Sequence, residues 1–304
     1  MIFFSIIIPT YNRAHLITQT IDSVLHQSYP NFEVIIVDDG STDDTEEVIK
    51  KLYGSNEKLI YFKKENQERG AARNYGLKHA NGNYALFFDS DDFMHNDHLD
   101  VLNEGIHQLG EVNLIATKHD WEHNKKRKSS TIQSVKEGWY QKDLFIEGNG
   151  LACNFCVRTR NPGMKLFRED RELVTMEDWI FLLENTLTDK IYLIDKTTLT
   201  LIDHNERSLT KNMQETVKKR VYATEWIEKN ISLSTEEIKK LWSNTYIFCA
   251  VFNYLDLKNI RSIKFLLKAI NKDGINKKKT MILIKNILLV NWIRHRRDQL
   301  MERL

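Results

Sequence analysis

The chain has 304 residues, 41% hydrophobic and 28% charged, an ordinary globular make-up with material for one large domain or two modest ones. Its net charge of +2 hides a division, since residues 1–210 carry 24 Lys/Arg against 33 Asp/Glu while residues 211–304 carry 20 against 9. An acidic body with a basic tail implies different partners for the two parts. Three cysteines exclude a disulfide framework and fit a reducing compartment. The lone Cys153/Cys156 pair lacks the second pair a zinc site needs, and both are read as packed thiols.

The opening Met-Ile-Phe-Phe-Ser has neither a basic region nor a small-residue cleavage site, so no signal peptide is expected. No stretch approaches the ~20 apolar residues of a membrane span, and a cytoplasmic protein is expected. Phe3 to Ile8 reads as a first buried strand, followed by a helix from about His15 to Gln27 with Ile17, Ile21 and Val24 on one face. A second strand, Phe32 to Val37, stops at Asp38-Asp39-Gly40-Ser41. Ser41 or Thr42 can cap the helix that runs to about Leu52. Leu59 to Phe62 makes a third strand, and Gly70 to Ala80 a helix with Arg73 and Asn74 in its first turns. The fourth strand begins at Tyr84 and ends abruptly at Asp89, Asp91 and Asp92. Carboxylates this close repel one another unless a cation sits among them, and all-oxygen ligation suits Mg²⁺ or Mn²⁺. A solvated acidic turn is the ordinary reading of Asp-x-Asp. Alternating strands and helices, however, predict a parallel sheet with helices on both faces. Such a sheet places Asp39, Asp89, Asp91 and the Pro9–Arg13 turn on one ligand-binding edge.

Further on, a helix from His98 to Leu109 and strands at 112–117, 151–157, 191–195 and 197–202 are predicted, with Lys125–Lys128 as a solvated hairpin tip. Glu177 and Asp178 open an amphipathic helix through Ile180, Leu183 and Leu187, where acids often only complement the helix dipole. After residue 210 strand signals vanish, and helices are predicted at about 212–230, 235–253, 259–272 and 278–303. The last joins Lys277–Lys279 to Trp292 and Arg294–Arg297. A basic amphipathic helix of this kind suits an anionic membrane surface, or packs its apolar face on protein. No nucleic-acid-binding module is recognisable.

Four segments resemble the inverting family 2 glycosyltransferases of GT-A fold, in that family's order and spacing. They are Ser-Ile-Ile-Ile-Pro-Thr-Tyr-Asn-Arg from Ser5, Val-Ile-Ile-Val-Asp-Asp-Gly-Ser-Thr-Asp from Val34, Gly-Ala-Ala-Arg-Asn-Tyr-Gly from Gly70 and Phe-Phe-Asp-Ser-Asp-Asp from Phe87. The resemblance implies a GT-A (Rossmann-like) catalytic domain over 1–210, with a nucleotide-binding half (1–95) and an acceptor-side half (96–210). An all-helical region would follow over 211–304.

The same resemblance implies that Thr10, Tyr11 and Arg13 line the nucleotide, Asp39 accepts from a uracil N–H, and Arg73 reaches the base or diphosphate. Asp89 and Ser90 would lie near the ribose, with Asp91 as metal ligand, His204 as metal or phosphate contact, and Mn²⁺ or Mg²⁺ as cofactor. By the same likeness Asp178 is the catalytic base, with Glu177 its alternate, and Asp38 supports the turn. The implied activity moves a sugar from a UDP-sugar to an acceptor hydroxyl of a glycan or lipid-linked glycan, in bacterial surface glycan synthesis. The Gln-x-x-Arg-Trp motif of processive synthases is missing, which points to single additions. Two alternatives stand beside it: a GDP-sugar-dependent polyprenyl-phosphate transferase, and a catalytically degenerate scaffold.

Overall fold

Short runs rich in Ile, Val and Phe are too brief for helices and form strands buried on both faces. In the computed structural model, which describes residues 1–204 and 212–288, these are β1 (Phe4–Thr10), β2 (Phe32–Asp38), β3 (Leu59–Lys63) and β4 (Tyr84–Phe87). All four are parallel, in the order β3-β2-β1-β4, and Thr10 of β1 is in register with Asp38 of β2. Every residue of β1, β2 and β4 is buried. Each wholly buried Ile, Val or Phe here contributes roughly 1.5–3 kcal/mol.

The crossovers are α1 (Ile17–Leu25), α2 (Thr45–Tyr53) and α3 (Glu68–Lys78). Helix α3 lies so close to the sheet that a Cβ on Gly76 would come within 2.4 Å of Ile7 Cγ2. Parallel strands joined by such helices put every strand C-terminus on one edge.

The sheet continues past β4 with β9 (Cys156–Arg158), antiparallel to both β4 and β6 (Leu114–His123). Beyond β6 come β10 (Ile191–Asp203), parallel to β6, and β5 (Phe93–Met94), antiparallel to β10. Strands β7 (Lys126–Ser129) and β8 (Gly138–Tyr140) pair with β6 and β10, giving a mixed ten-stranded sheet among the described residues. Helices α4 (His98–Leu109) and α5 (Glu177–Asn185) complete this layer.

The Lys125–Lys128 run lies at the solvent-exposed tip of the β6–β7 hairpin, with Asn124 and Lys125 in the turn at positive φ and Lys126–Lys128 opening strand β7. Two predicted elements differ. The strand predicted over 151–157 shrinks to Cys156–Arg158, because Ala152 turns the backbone to φ 53°. The two strands predicted at 191–195 and 197–202 are one, β10, whose register with β6 shifts between Leu193 and Leu199. There Asp195 turns outward to meet Lys118 Nζ at 2.6 Å.

The chain divides into two compact units, residues 1–145 with 149–207, and residues 146–148 with 208–304. The second contains α6 (Met213–Asn230), α7 (Thr235–Leu255), α8 (Asn259–Asp273) and α9 (Lys277–Leu288). Ser234 and Glu237 cap α7 reciprocally: Ser234 Oγ accepts from the Glu237 N–H at 3.3 Å, and Glu237 Oε2 from the Ser234 N–H at 2.7 Å. Buried Lys279 donates to the Ala269 and Gly274 carbonyls and to Asp273, closing the end of α8. Trp292 and Arg294–Arg297, on which the membrane reading of the last helix rests, lie outside the described residues.

Candidate active site

The loops after β1 and β2 are clipped together at the C-terminal edge of the sheet. Asn12 adopts φ 51°, its N–H donates to Ser41 Oγ at 2.9 Å, and its Oδ1 accepts from the Thr42 N–H at 2.8 Å. Arg13 is held by its N–H to Thr45 Oγ1 at 2.9 Å. Gly40 sits at φ +83°, and a Cβ there would meet Asn66 N at 3.1 Å, so the turn needs a glycine for both reasons.

Beneath it, buried Asp38 accepts from the Ser41 N–H and the Tyr61 hydroxyl, both at 2.7 Å, and so braces the turn. Asp39 accepts from Lys64 Nζ at 2.6 Å and from the Gln67 N–H at 3.0 Å. Thr10 is buried with an unpartnered hydroxyl, whereas Tyr11 is 45% exposed.

Asp89, Asp91 and Asp92 follow β4 with ligand oxygens within 4.8 Å of one another. Asp92 is fixed inward, accepting from the Ile202 N–H on β10 at 3.0 Å. His204 directly follows β10 and brings Nε2 to 2.9 Å from Asp91 Oδ2, while Arg13 Nε lies 4.0 Å from the same oxygen. A set of carboxylates with one imidazole fits a hard divalent cation such as Mn²⁺ or Mg²⁺. Ser90 lies buried within the same turn.

Arg73 joins this cluster to a second acidic pair. Its guanidinium is 1% exposed, with Nη2 2.8 Å from Asp89 Oδ1 and Nη1 2.7 Å from Glu177 Oε1. It also lies over the Phe167 ring at 5.3 Å. Below it Phe87 of β4, Phe155, Phe167 and Phe181 of α5 pack at centroid distances of 4.2–6.3 Å. These rings tie α5 to the strand that carries the aspartates.

Glu177 and Asp178 form the first turn of α5, entered through Thr175 at φ 79°, an uncommon backbone conformation for a β-branched residue. Burial works against the Glu177 anion, but Arg69 and Arg73 outweigh it and hold its carboxyl below the usual range. Among the described residues, no cation lies within ion-pair distance of Asp178. Burial first, then the Glu177 anion, push its carboxyl up to about 6. Its oxygens are fixed all the same: Oδ1 accepts from the Trp179 N–H at 2.7 Å and Oδ2 from Asn149 Nδ2 at 2.8 Å. A carboxyl poised near neutrality in a defined orientation is suited to accept a proton from a substrate.

The fold thus gathers Thr10, Tyr11, Arg13, Asp39, Arg73, Asp89, Ser90, Asp91, Asp178 and His204 in or beside the turns and first helical turns described above. Arg73 differs in setting from its sequence reading, being enclosed between two carboxylates. Three contributors escaped the sequence. Arg69, one turn before Arg73 on α3 and 3.6 Å from Glu177, was visible as an i, i+4 arginine pair. Lys64 and Asn149 had no local signal, since each meets its carboxylate across more than twenty residues of chain.

A mixed sheet of this order, flanked by helices and ending in acids at one edge, is the GT-A architecture. The sequence model of the family "Glycosyl transferase family 2" matches residues 5–170, and the chain belongs to that family. An uncharacterized glycosyltransferase of Rickettsia conorii is 35% identical over 166 residues, 55% of this chain and 26% of its own length. TuaG of Bacillus subtilis, named for teichuronic acid biosynthesis, is 41% identical over 97 residues, 32% of this chain and 38% of its own. The chain therefore spans about a quarter to two fifths of the length of these curated relatives. The crystal structure of Staphylococcus aureus TarS 1–349 in complex with UDP-GlcNAc superposes with a TM-score of 0.67 at 21% identity. It covers 96% of this chain and 87% of that one, a likeness of fold. No helix among the described residues is long and apolar enough to cross a membrane.

Proposed function

We propose that this glycosyltransferase moves a sugar from a UDP-sugar to an acceptor hydroxyl with inversion at the anomeric carbon. The observation that carries the reading is the Asp178 carboxyl, raised to about 6 and tied through Glu177 and Arg73 to the three-aspartate cluster. Asp178 takes the proton as the acceptor oxygen bonds to the anomeric carbon, whose bond to the diphosphate oxygen breaks on the opposite face. Glu177 stays anionic under Arg69 and Arg73 and keeps Asp178 basic enough for that task. Thr10, Tyr11 and Arg13 line the nucleotide. Asp39, oriented by Lys64 and Gln67, accepts from a base N–H, while Asp89 and Ser90 face the ribose. Asp91, with Asp89 and His204, would hold Mn²⁺ or Mg²⁺, which supplies positive charge against the departing diphosphate.

The UDP donor draws support from the ligand in the TarS structure, and a surface-glycan acceptor, free or lipid-linked, from the name of TuaG. The enzyme would then work in the cytoplasm, at the inner face of the membrane where lipid-linked acceptors lie. Calorimetric titration of UDP and GDP with and without Mn²⁺ tests the reading. Manganese-dependent UDP binding is expected. Tighter GDP binding would favour the GDP-sugar polyprenyl-phosphate transferase, and no nucleotide binding would leave the scaffold.

A further inference from the structure

From residue 257 to residue 288 the chain carries nine Lys/Arg and a single acid, Asp273. That acid does not offset them at the surface, because Ser243 Oγ donates to it at 2.7 Å and Lys279 pairs with it. Helix α8 turns Ser262, Leu266 and Ala269 inward, all fully buried. The opposite arc exposes Ile260 (75%) and Leu267 (56%) along one edge, and Arg261, Lys264, Lys268 and Lys272 along the other. At 100° per residue these six positions fall within about 140° of the helix circumference. Solvent alone explains the cations but not two large apolar side chains set beside them.

We infer that this face of α8 docks on an anionic lipid bilayer, its lysines at the phosphates and Ile260 and Leu267 in the headgroup boundary. Charge selects the occupant. A second copy of the same face would set four cations against four cations. A nucleic acid would neutralise the cations and leave Ile260 and Leu267 exposed. Anionic lipid satisfies both edges at once. The continuation into α9 has the same character, with Met281 and Ile284 exposed and Lys277 and Lys278 open to solvent. None of these side chains belongs to residues 289–304, and the lipid contact does not depend on the proposed transfer activity.

The test is co-sedimentation of the full chain with vesicles of pure phosphatidylcholine or of phosphatidylcholine with 30% phosphatidylglycerol at low salt. Binding to the anionic vesicles only is expected. Reversal of Lys264, Lys268 and Lys272 to Glu should weaken it at least ~100-fold, at about fivefold or more per charge. Ile260→Ser with Leu267→Ser should weaken it ~10-fold. An unaltered far-UV circular dichroism spectrum of each variant shows that its fold is intact. Three results overturn the inference: no binding of the parent to anionic vesicles, equal binding to both vesicle types, or full binding by the triple Glu variant. The last would transfer the contact to Arg294–Arg297, which an Arg294/Arg296/Arg297→Glu variant would then abolish. A parent that self-associates through Ile260 and ignores vesicles would likewise replace lipid by a second copy.

Discussion

Two sets of acids in one unit meet opposite fates. Asp89 and Asp91 keep part of their surface open, and the three-aspartate group lies close enough to share one cation. Glu177 and Asp178 are drawn into the unit, where two arginines hold Glu177 as an anion and leave Asp178 to bear the cost of burial. The contrast teaches that carboxylate chemistry here is assigned by neighbours: on the proposed reading, the same functional group is suited to hold a cation or to accept a proton according to where the positive charge lies. Arg73 touches both sets and keeps them distinct.

The comparison breaks most completely at Asp178. Asp178→Asn should lower kcat by about 10³-fold or more with donor affinity retained, measured by transfer assay and calorimetry. The parent should show activity rising as pH passes about 6, where Asp178 loses its proton. The sign for stability is opposite. A raised carboxyl favours the folded state while protonated, and that contribution is lost between the ordinary carboxylate range and about 6. The Asn variant should therefore be more stable than the parent at pH 8, by about 1–2 kcal/mol after allowing for partial exposure. A variant that is inactive and less stable would mean the carboxylate is structural.

Arg73→Met comes next. It leaves Asp89 and Glu177 without their shared cation and should cost about 3–5 kcal/mol by denaturant unfolding. Asp91→Ala should weaken UDP binding in Mn²⁺ roughly 100-fold and change it little without metal, at about 3 kcal/mol for one ligand of such a site. Glu177→Gln separates the two carboxyls of the pair. Transfer should persist with its acid limb about one pH unit lower, and a dead enzyme would move the base role to Glu177. The smallest effect belongs to Asn149→Ala, which frees one oxygen of Asp178 and should lower kcat about tenfold with KM unchanged.

How far the sequence foretold this follows from the range of each interaction. The apolar runs of β1, β2 and β4 and the acids ending them were legible, because strand burial and the edge rule act within a few residues. The Asp38 turn was legible too, being closed by Ser41 three residues on. The long β10 was misread as two strands because the shift at Asp195 looks like a break when its partner Lys118, far off in the chain, is not in view. Likewise the motif around Gly70 drew attention to Arg73, but its enclosure depends on Glu177, 104 residues later. Asn149 lies in a loop with no period or composition to mark it. What stayed hidden was, in each case, a contact that only the sheet order creates.

The stacked rings of Phe155, Phe167 and Phe181 against Phe87 have a consequence for how such an enzyme can diversify. They act as a rigid spacer whose length fixes the gap between the strand end and the helix that carries Asp178. Loops on either side can be rewritten, as the irregular stretch from 130 to 175 invites, without altering that gap. A library that randomises the loops and holds Asn149 and the four phenylalanines should yield altered acceptor choice with turnover intact. One that holds the loops and varies the rings should yield the reverse.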